Sequence, residues 1–579
     1  MLACGAATPE SATPTRDITS APQPSPTPLP TATPRPTEVP RPRVLRVNGG
    51  ALPEVLDPQK ATRVSEWAHL QLLFEGLTRL DEHLQPIPAA AEKWEYNASA
   101  TELTLALRKG LKYSDGSLLN AARFAYALKR NLNPRTTGEY GALLDDIKGA
   151  LEWRTARADA KPDDLKKLES AVDASIQALD TSGKPCKIGK DAFTQDDCLT
   201  LKLVFARPAP YFHVILATAL GYPIKEENLD AAKDRWNTLR ALVGNGAFVV
   251  TSIEPGVRVR FEPNPHYRGE PARTLIEFLY QTDSAAAVQA YKKNALDVVV
   301  VSPDDVAKIQ ADAEIAAQLV LTPGACTFGV MFALDKEPFS DPRVRQAFAL
   351  AIDRDAFVKE VLRGAAKPAL TWIPPGFPAY PADEKRWAFD AAAAKKALSE
   401  SRYGSTGKFP TVTLTFINDA RTRPRYEWLQ KQWKQVLGVE VKLNAVDATT
   451  YASLTRDPKT SPQMSLHGWC ALYPDPHYWL SLYWKTGTVA DRFKYSNKTL
   501  DQLLTEADAT VDTQRRLELY GKAHSTLMGD VPAVFLWHSV NAYLLKPWVK
   551  EYKPTPFDRW FPGDTSPARI DIDLALLPK

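Results

Sequence analysis

"TVTLTFINDARTRPRYEWLQKQWKQVLGVEVKL", residues 411–443, changes its periodicity twice. Its opening residues alternate with a period of two and put Val412, Leu414 and Phe416 on one face, as in a half-buried strand. From about Pro424 the spacing becomes helical, with Leu429, Trp433, Val436 and Leu437 on one side and Gly438 at the stop. "VEVKL" then alternates again. Strand, helix and strand in this order make a βαβ unit, so the chain is predicted to be α/β. A second unit reads off residues 274–301: "TLIEFLYQ", the helix "SAAAVQAYKKN" and "ALDVVVV", in which Val298–Val301 is an expected buried strand. The two units lie well apart in sequence, which predicts two α/β lobes. Ligands in open α/β sheets settle beyond the carboxyl ends of strands, so Asn418–Asp419 and Ser302–Asp304 are expected to face a cleft.

At 579 residues the chain exceeds what one core organises, and two or three domains are expected. A net charge of only +4 argues against nucleic acid or an anionic membrane surface as the main partner, because either selects a basic cluster. No apolar run approaches the roughly 20 residues that span a bilayer. Residues 5–43 are dominated by Pro, Thr, Ser and Ala and bury too little apolar surface to offset their ordering entropy. They read as a disordered, polyproline-rich stalk. Ahead of them, "MLAC" resembles the end of a bacterial lipoprotein signal. Lipidation is therefore expected at Cys4, with the protein at the cell surface or in the periplasm and held to the membrane by lipid only.

The usual catalytic signatures, GxSxG, HExxH and GxGxxG, are missing. "YGSTGK" at 403–408 has Arg402 where a Walker A loop needs Gly, and reads as a surface turn. Neither CxxC nor a Cys/His cluster of zinc spacing occurs, so no metal and no cofactor is expected. The chain is read as a non-enzyme. A secreted hydrolase is the remote alternative, and would need a nucleophile–base pair within hydrogen-bond reach in the cleft.

Five cysteines remain to be placed. Cys186 and Cys198 flank a short polar loop that they could close, and disulfides in an oxidising compartment are preferred over free buried thiols. In "FSDPRVRQAFALAID" (339–353), Asp341 is a good N-cap and Pro342 fits the first helical position. Val344, Phe348, Ala351 and Ile352 form the buried face there, with the arginines outward. "KYSDGSLLNAARF" places Asp115–Gly116 in a turn ahead of a helix capped by Asn120. "GNGAF" (244–248) suits a positive-φ turn.

These motifs, with "LRVNGGALPEVLDPQKAT", "LLFEGLTRLDEHLQPIPAAAEKWEYN" and "VGNGAFVVTSIEPGVRVRFEPNPHYRG", run in order from about residue 44 to the C-terminus. The series resembles the family 5 extracellular solute-binding proteins of ABC importers, the oligopeptide-, dipeptide- and nickel-binding group. The resemblance implies a two-lobed periplasmic-binding-protein fold of three domains. Domain I would comprise 44–64, 236–325 and 542–579; domain II would be 65–235; domain III would be 326–541. Domains I and II form one lobe and domain III the other, closing about a hinge on a peptide or peptide-like solute that a membrane permease then receives. The protein would act as a monomer. The resemblance also pairs Cys326 with Cys470.

In peptide-binding members the ligand lies as an added β-strand, held by main-chain hydrogen bonds that every peptide offers. The strand in that role matches Gly468, Trp469 and Cys470 of "HGWCALYPDPHYWL" (467–480), and the facing lobe contributes the stretch around Leu52 and Pro53. Tyr473 and Asp475 follow as further ligand-binding candidates. Those relatives meet the ligand's amino group with an Asp in a GW-x-x-D pattern, where this chain carries Leu472. Either another carboxylate, Asp475 or Glu54, reaches in, or the ligand has no free amine there; the second reading is preferred. Some members bind oligosaccharides on Trp faces, and Trp67, Trp372, Trp469 and Trp479 make that the alternative ligand class.

Overall fold

A computed structural model describes residues 42–578 apart from 137, 188, 233–237, 239, 240, 405, 421 and 559–566. The expected stalk and Cys4 fall outside the described residues. Pro42–Lys579 forms one compact unit.

An eleven-stranded sheet organises the unit. In chain order its strands are β1 (Val44–Asn48), β2 (Phe248–Glu254), β3 (Arg258–Pro263), β4 (Leu275–Leu279), β5 (Val298–Val300) and β6 (Leu319–Phe332). They continue with β7 (Ala366–Pro368), β8 (Val412–Ile417), β9 (Val441–Val446), β10 (Met464–Cys470) and β11 (Ala533–Leu545). Across the sheet the order is β9-β8-β10-β6-β11-β5-β1-β4-β3-β2, with β7 pairing against β11. Both expected βαβ units are present at opposite ends. β8 and β9 pair in parallel around the helix Arg423–Leu437, and β4 and β5 flank β1 in parallel around the helix Ser284–Lys292. Two strands of 14 and 13 residues, β6 and β11, run antiparallel between the halves and make them one sheet. Their register breaks between Pro323 and Thr327, where the pair passes from one half to the other.

A separate four-stranded antiparallel sheet (Ala91–Tyr96, Glu102–Leu107, Thr200–Val204, Ile176–Leu179) packs with the helix Ala121–Leu132, which Asn120 caps through the Arg123 amide. Cys186 and Cys198 are bonded and staple the loop beside it. Among the described residues no helix is long and apolar enough to cross a membrane.

Two local expectations are corrected. Arg345 does not face outward: it is buried, and its guanidinium donates to the carbonyls of Phe339, Asp530 and Val531. Those last two are the open carbonyls at the end of the helix Thr513–Asp530, so a cation seated there completes a helix terminus. Gly244 and Gly246 do not adopt positive φ. Backbone proximity requires them instead: a Cβ at Gly244 would lie 1.8 Å from the Leu73 carbonyl oxygen, and one at Gly246 2.5 Å from the Phe74 nitrogen. Asn245 between them bonds the Glu75 backbone in both directions.

Candidate ligand-binding site

β10 is built by its neighbours on one side and left open on the other. It pairs antiparallel with β6 along its whole length, from Cys326 opposite Cys470 to Phe332 opposite Met464. On its other side β8 pairs only with Met464 and Ser465. The direction of the remaining amide groups follows from the ladder. The Ala471 amide donates to the Ala325 carbonyl at 2.9 Å, which makes that pair hydrogen-bonded and the next pair, Cys470–Cys326, non-hydrogen-bonded. A Cα–Cα distance of 4.0 Å between these cysteines, which are disulfide-bonded, agrees with the closer kind of pair. Alternation then turns the N–H and C=O of Cys470, Gly468 and Leu466 away from β6. The Leu466 carbonyl accepts the Tyr451 hydroxyl on that side at 2.5 Å. No strand among the described residues takes up the Gly468 and Cys470 groups. Gly468 is exposed, and its missing side chain leaves room for the Phe328 ring directly opposite, 2.4 Å from where a Cβ would sit.

Behind the open edge stands an aromatic wall. Trp469 stacks on Tyr478 at 5.1 Å, meets Tyr483 edge-on at 5.0 Å and donates its indole N–H to the Tyr478 carbonyl. In the turn beyond the carboxyl end of β1, Leu52 is 40% exposed and Pro53 half-buried. Asn48 folds that turn by accepting the amides of Gly50 and Gln281. Glu66 fixes the chain beyond it by accepting the amides of Val55, Thr62 and Arg63. A cavity of about 600 Å³ opens next to this turn, lined by Gly50, Ala51, Gln281, Ser302, Pro303 and Asn541 among others. Ser302 thus faces a cavity as its strand-end position suggests, whereas Asn418 and Asp419 are not among its lining residues.

The turn after Cys470 is placed differently from its sequence reading. Asp475 does not face the open edge: it is buried and takes both guanidinium nitrogens of Arg516, at 2.9 and 2.5 Å, plus the His477 amide. Tyr473 is also buried, its hydroxyl 2.6 Å from His477 Nδ1, while His477 stacks on Tyr211 at 3.7 Å. Both are therefore packing residues of the turn. Leu472 lines a small apolar pocket with Pro58, Trp67, Tyr140, Leu143 and Leu220, all from the first half of the chain. Glu54 is exposed and pairs with Arg63 at 2.7 Å. Trp372 and Trp479 are fully buried in the core, which withdraws two of the four Trp faces considered for sugar stacking.

Among the described residues, the shortest contact of a Ser or Thr hydroxyl with a His ring is Thr327 Oγ1 to His538 Nδ1 at 2.8 Å. Both are buried between β6 and β11, and the second ring nitrogen meets Thr371 rather than a carboxylate. Sequence reasoning missed Tyr451, on the helix Ala448–Arg456 before β10, and Tyr483, Arg492 and Arg516 on elements after it; none carries a local motif. Arg516 had one usable signal, its place on the inward face of the helix Thr513–Asp530.

Comparison with known proteins agrees with this architecture. Residues 85–491 match the bacterial extracellular solute-binding proteins, family 5, and the chain belongs to that family. It is 28% identical over 514 residues to the periplasmic oligopeptide-binding protein OppA of Salmonella typhimurium, covering 87% of this chain and 89% of that one. It is 27% identical to the periplasmic murein peptide-binding protein MppA of Escherichia coli, covering 86% and 88%. Among solved structures, the unliganded open form of MppA superposes with a TM-score of 0.78 at 24% identity, covering 92% of this chain and 98% of that one. Haemophilus influenzae OppA in complex with the peptide RPPGFSPFR gives 0.61 at 24% identity, covering 92% and 99%.

Proposed function

We propose that this protein is the extracytoplasmic binding component of an ABC importer, capturing a peptide or peptide-like solute and passing it to a membrane permease. The observation that carries the reading is the open edge of β10, where the Gly468 and Cys470 amide groups face away from their own sheet. Such an edge accepts an extended main chain as one more strand and is indifferent to most side chains. The relatives support it, since their names specify oligopeptides and murein peptide.

In this reading domain I (44–64, 236–325, 542–579) and domain II (65–235) form one lobe and domain III (326–541) the other. β6 and β11 cross between lobes and serve as the hinge. Leu52 and Pro53 meet the ligand from the first lobe, with Gly468, Trp469 and Cys470 on the second. Cys4 carries the lipid, the stalk spaces the body from the membrane, and the protein acts alone in the periplasm or at the cell surface. The ligand presents no free ammonium at Leu472. Of the acids nearest the first-lobe turn, Asp57 pairs with Arg130, Glu66 is filled by three amides and Glu54 holds Arg63.

Native mass spectrometry of ligand carried through purification, with calorimetry on short peptides, tests the reading. Peptides of mixed sequence are expected in the bound fraction. Carriage of oligosaccharide with no peptide binding would overturn it.

A further inference from the structure

On the face of β10 that carries His467 and Trp469, three polar groups stand without partners. His467 Nε2 and the Tyr483 hydroxyl are buried and make no hydrogen bond. Arg492, half-buried on the turn Val489–Phe493, makes no ion pair among the described residues. These groups are neighbours. Phe493 meets the His467 ring edge-on at 4.7 Å, Tyr483 meets Trp469 at 5.0 Å, and the Arg492 charge acts on both His467 and Tyr483. Three nearby acids are already engaged: Asp501 accepts the Thr486 amide, Asp530 accepts from Tyr495 and Asn497, and Asp508 accepts from Ser481 and Tyr520.

Buried polar groups are nearly always satisfied, so two orphans beside an unpaired guanidinium mark a place for a ligand group. The strand geometry says which group arrives. A main chain added along Gly468–Cys470 puts alternate side chains on the His467–Trp469 face, about 5 Å from its cross-strand neighbours. We infer that Arg492, Tyr483 and His467 form a side-chain subsite for a carboxylate, and that the protein prefers peptides with Asp or Glu at the position paired with His467 or Trp469, whose side chain shares their face. The guanidinium supplies charge-assisted donors, the Tyr483 hydroxyl a third, and His467 a fourth as its Nε2–H tautomer. Trp469 packs against the methylenes. This inference rests on the strand-addition reading above.

Calorimetry on the full chain with tetra-alanine and with peptides carrying Glu, Gln or Lys at each position in turn separates the two. One position is expected where Glu binds roughly ten- to a hundredfold more tightly than Gln, and Lys more weakly than either. Arg492→Gln should bring the Glu peptide to the level of the Gln peptide while leaving tetra-alanine unchanged, and Arg492→Lys should restore part of the preference. Tight binding with Glu, Gln and Lys equal at every position would overturn the subsite alone. So would an Arg492→Gln loss shared by all peptides. Failure of every peptide to bind would overturn the strand-addition reading and the subsite with it.

Discussion

Asp475 and Arg516 form a buried bidentate ion pair, 41 residues apart in sequence, that locks the turn after β10 onto the helix Thr513–Asp530. Arg516 also reaches the Tyr520 hydroxyl at 3.2 Å and lies over the Tyr211 ring. The pair thus anchors the turn that begins with Leu472 to the helix and to Tyr211.

Removing one partner should be far worse than removing both. Arg516→Leu leaves a buried carboxylate unpaired and is expected to cost about 3–5 kcal/mol, while the double change with Asp475→Leu recovers part of it. Burial by itself would raise the Asp475 carboxyl; Arg516 and the His477 amide outweigh it and hold the group below the usual range. A depressed carboxyl contributes stability at neutral pH that is lost as pH falls below about 4. Urea unfolding of the two variants checks this, and equal losses in single and double variants would refute it.

The two disulfides should differ in weight. Cys326–Cys470 closes 144 residues and Cys186–Cys198 only 12. On the chain-entropy model these correspond to at most about 5 and about 3 kcal/mol. Cys326→Ser/Cys470→Ser should therefore lower the urea midpoint more than Cys186→Ser/Cys198→Ser. It should also weaken peptide binding, because the bond pins the end of the open edge. Unchanged affinity in the first variant would show that the edge does not depend on it.

Much of the architecture was legible from residues close together in sequence. Val412, Leu414 and Phe416 are buried on β8 and Gly438 has the positive φ of a helix stop, as their spacing suggests. The joining of the two halves was not legible, because β6 and β11 lie some two hundred residues apart and only their pairing in space makes one sheet of them. The same limit governed the site. The motif put Gly468 and Trp469 on one strand, as they are in β10, but the packing of Asp475 depends on Arg516, a partner that no local pattern links to it. Arg345 was misjudged for a related reason: the helix end it caps belongs to residues 530–531.

Acidification should destabilise the fold well before its carboxylates titrate. Burial holds His69, His213, His467 and His524 down to about 4, and His538 to about 3. The unfolded chain binds these protons near the ordinary value of 6.5, so between there and about 4 it holds more protons than the folded one. Stability is full above about 6.5 and falls as pH drops through that window. Urea midpoints should decline steadily over this range, and His524→Gln should make the decline shallower. A flat midpoint down to the carboxylate range would contradict it.

Leu472 supplies the sharpest test of ligand chemistry. It lines a small apolar pocket with Pro58, Trp67, Tyr140, Leu143 and Leu220, and no carboxylate stands in its place to meet an ammonium. An enclosed ammonium without a counter-charge is disfavoured by several kcal/mol, so N-acetylated peptides should bind at least as well as free ones. Leu472→Asp should lower stability by about 1–3 kcal/mol, as a charge enters an apolar contact. The same change should shift preference toward peptides with a free amine. The ratio of affinities for free and acetylated tetra-alanine, measured in both proteins, reads this directly and is insensitive to a general loss of binding. A wild-type ratio of tenfold or more in favour of the free amine would mean that another acid meets it.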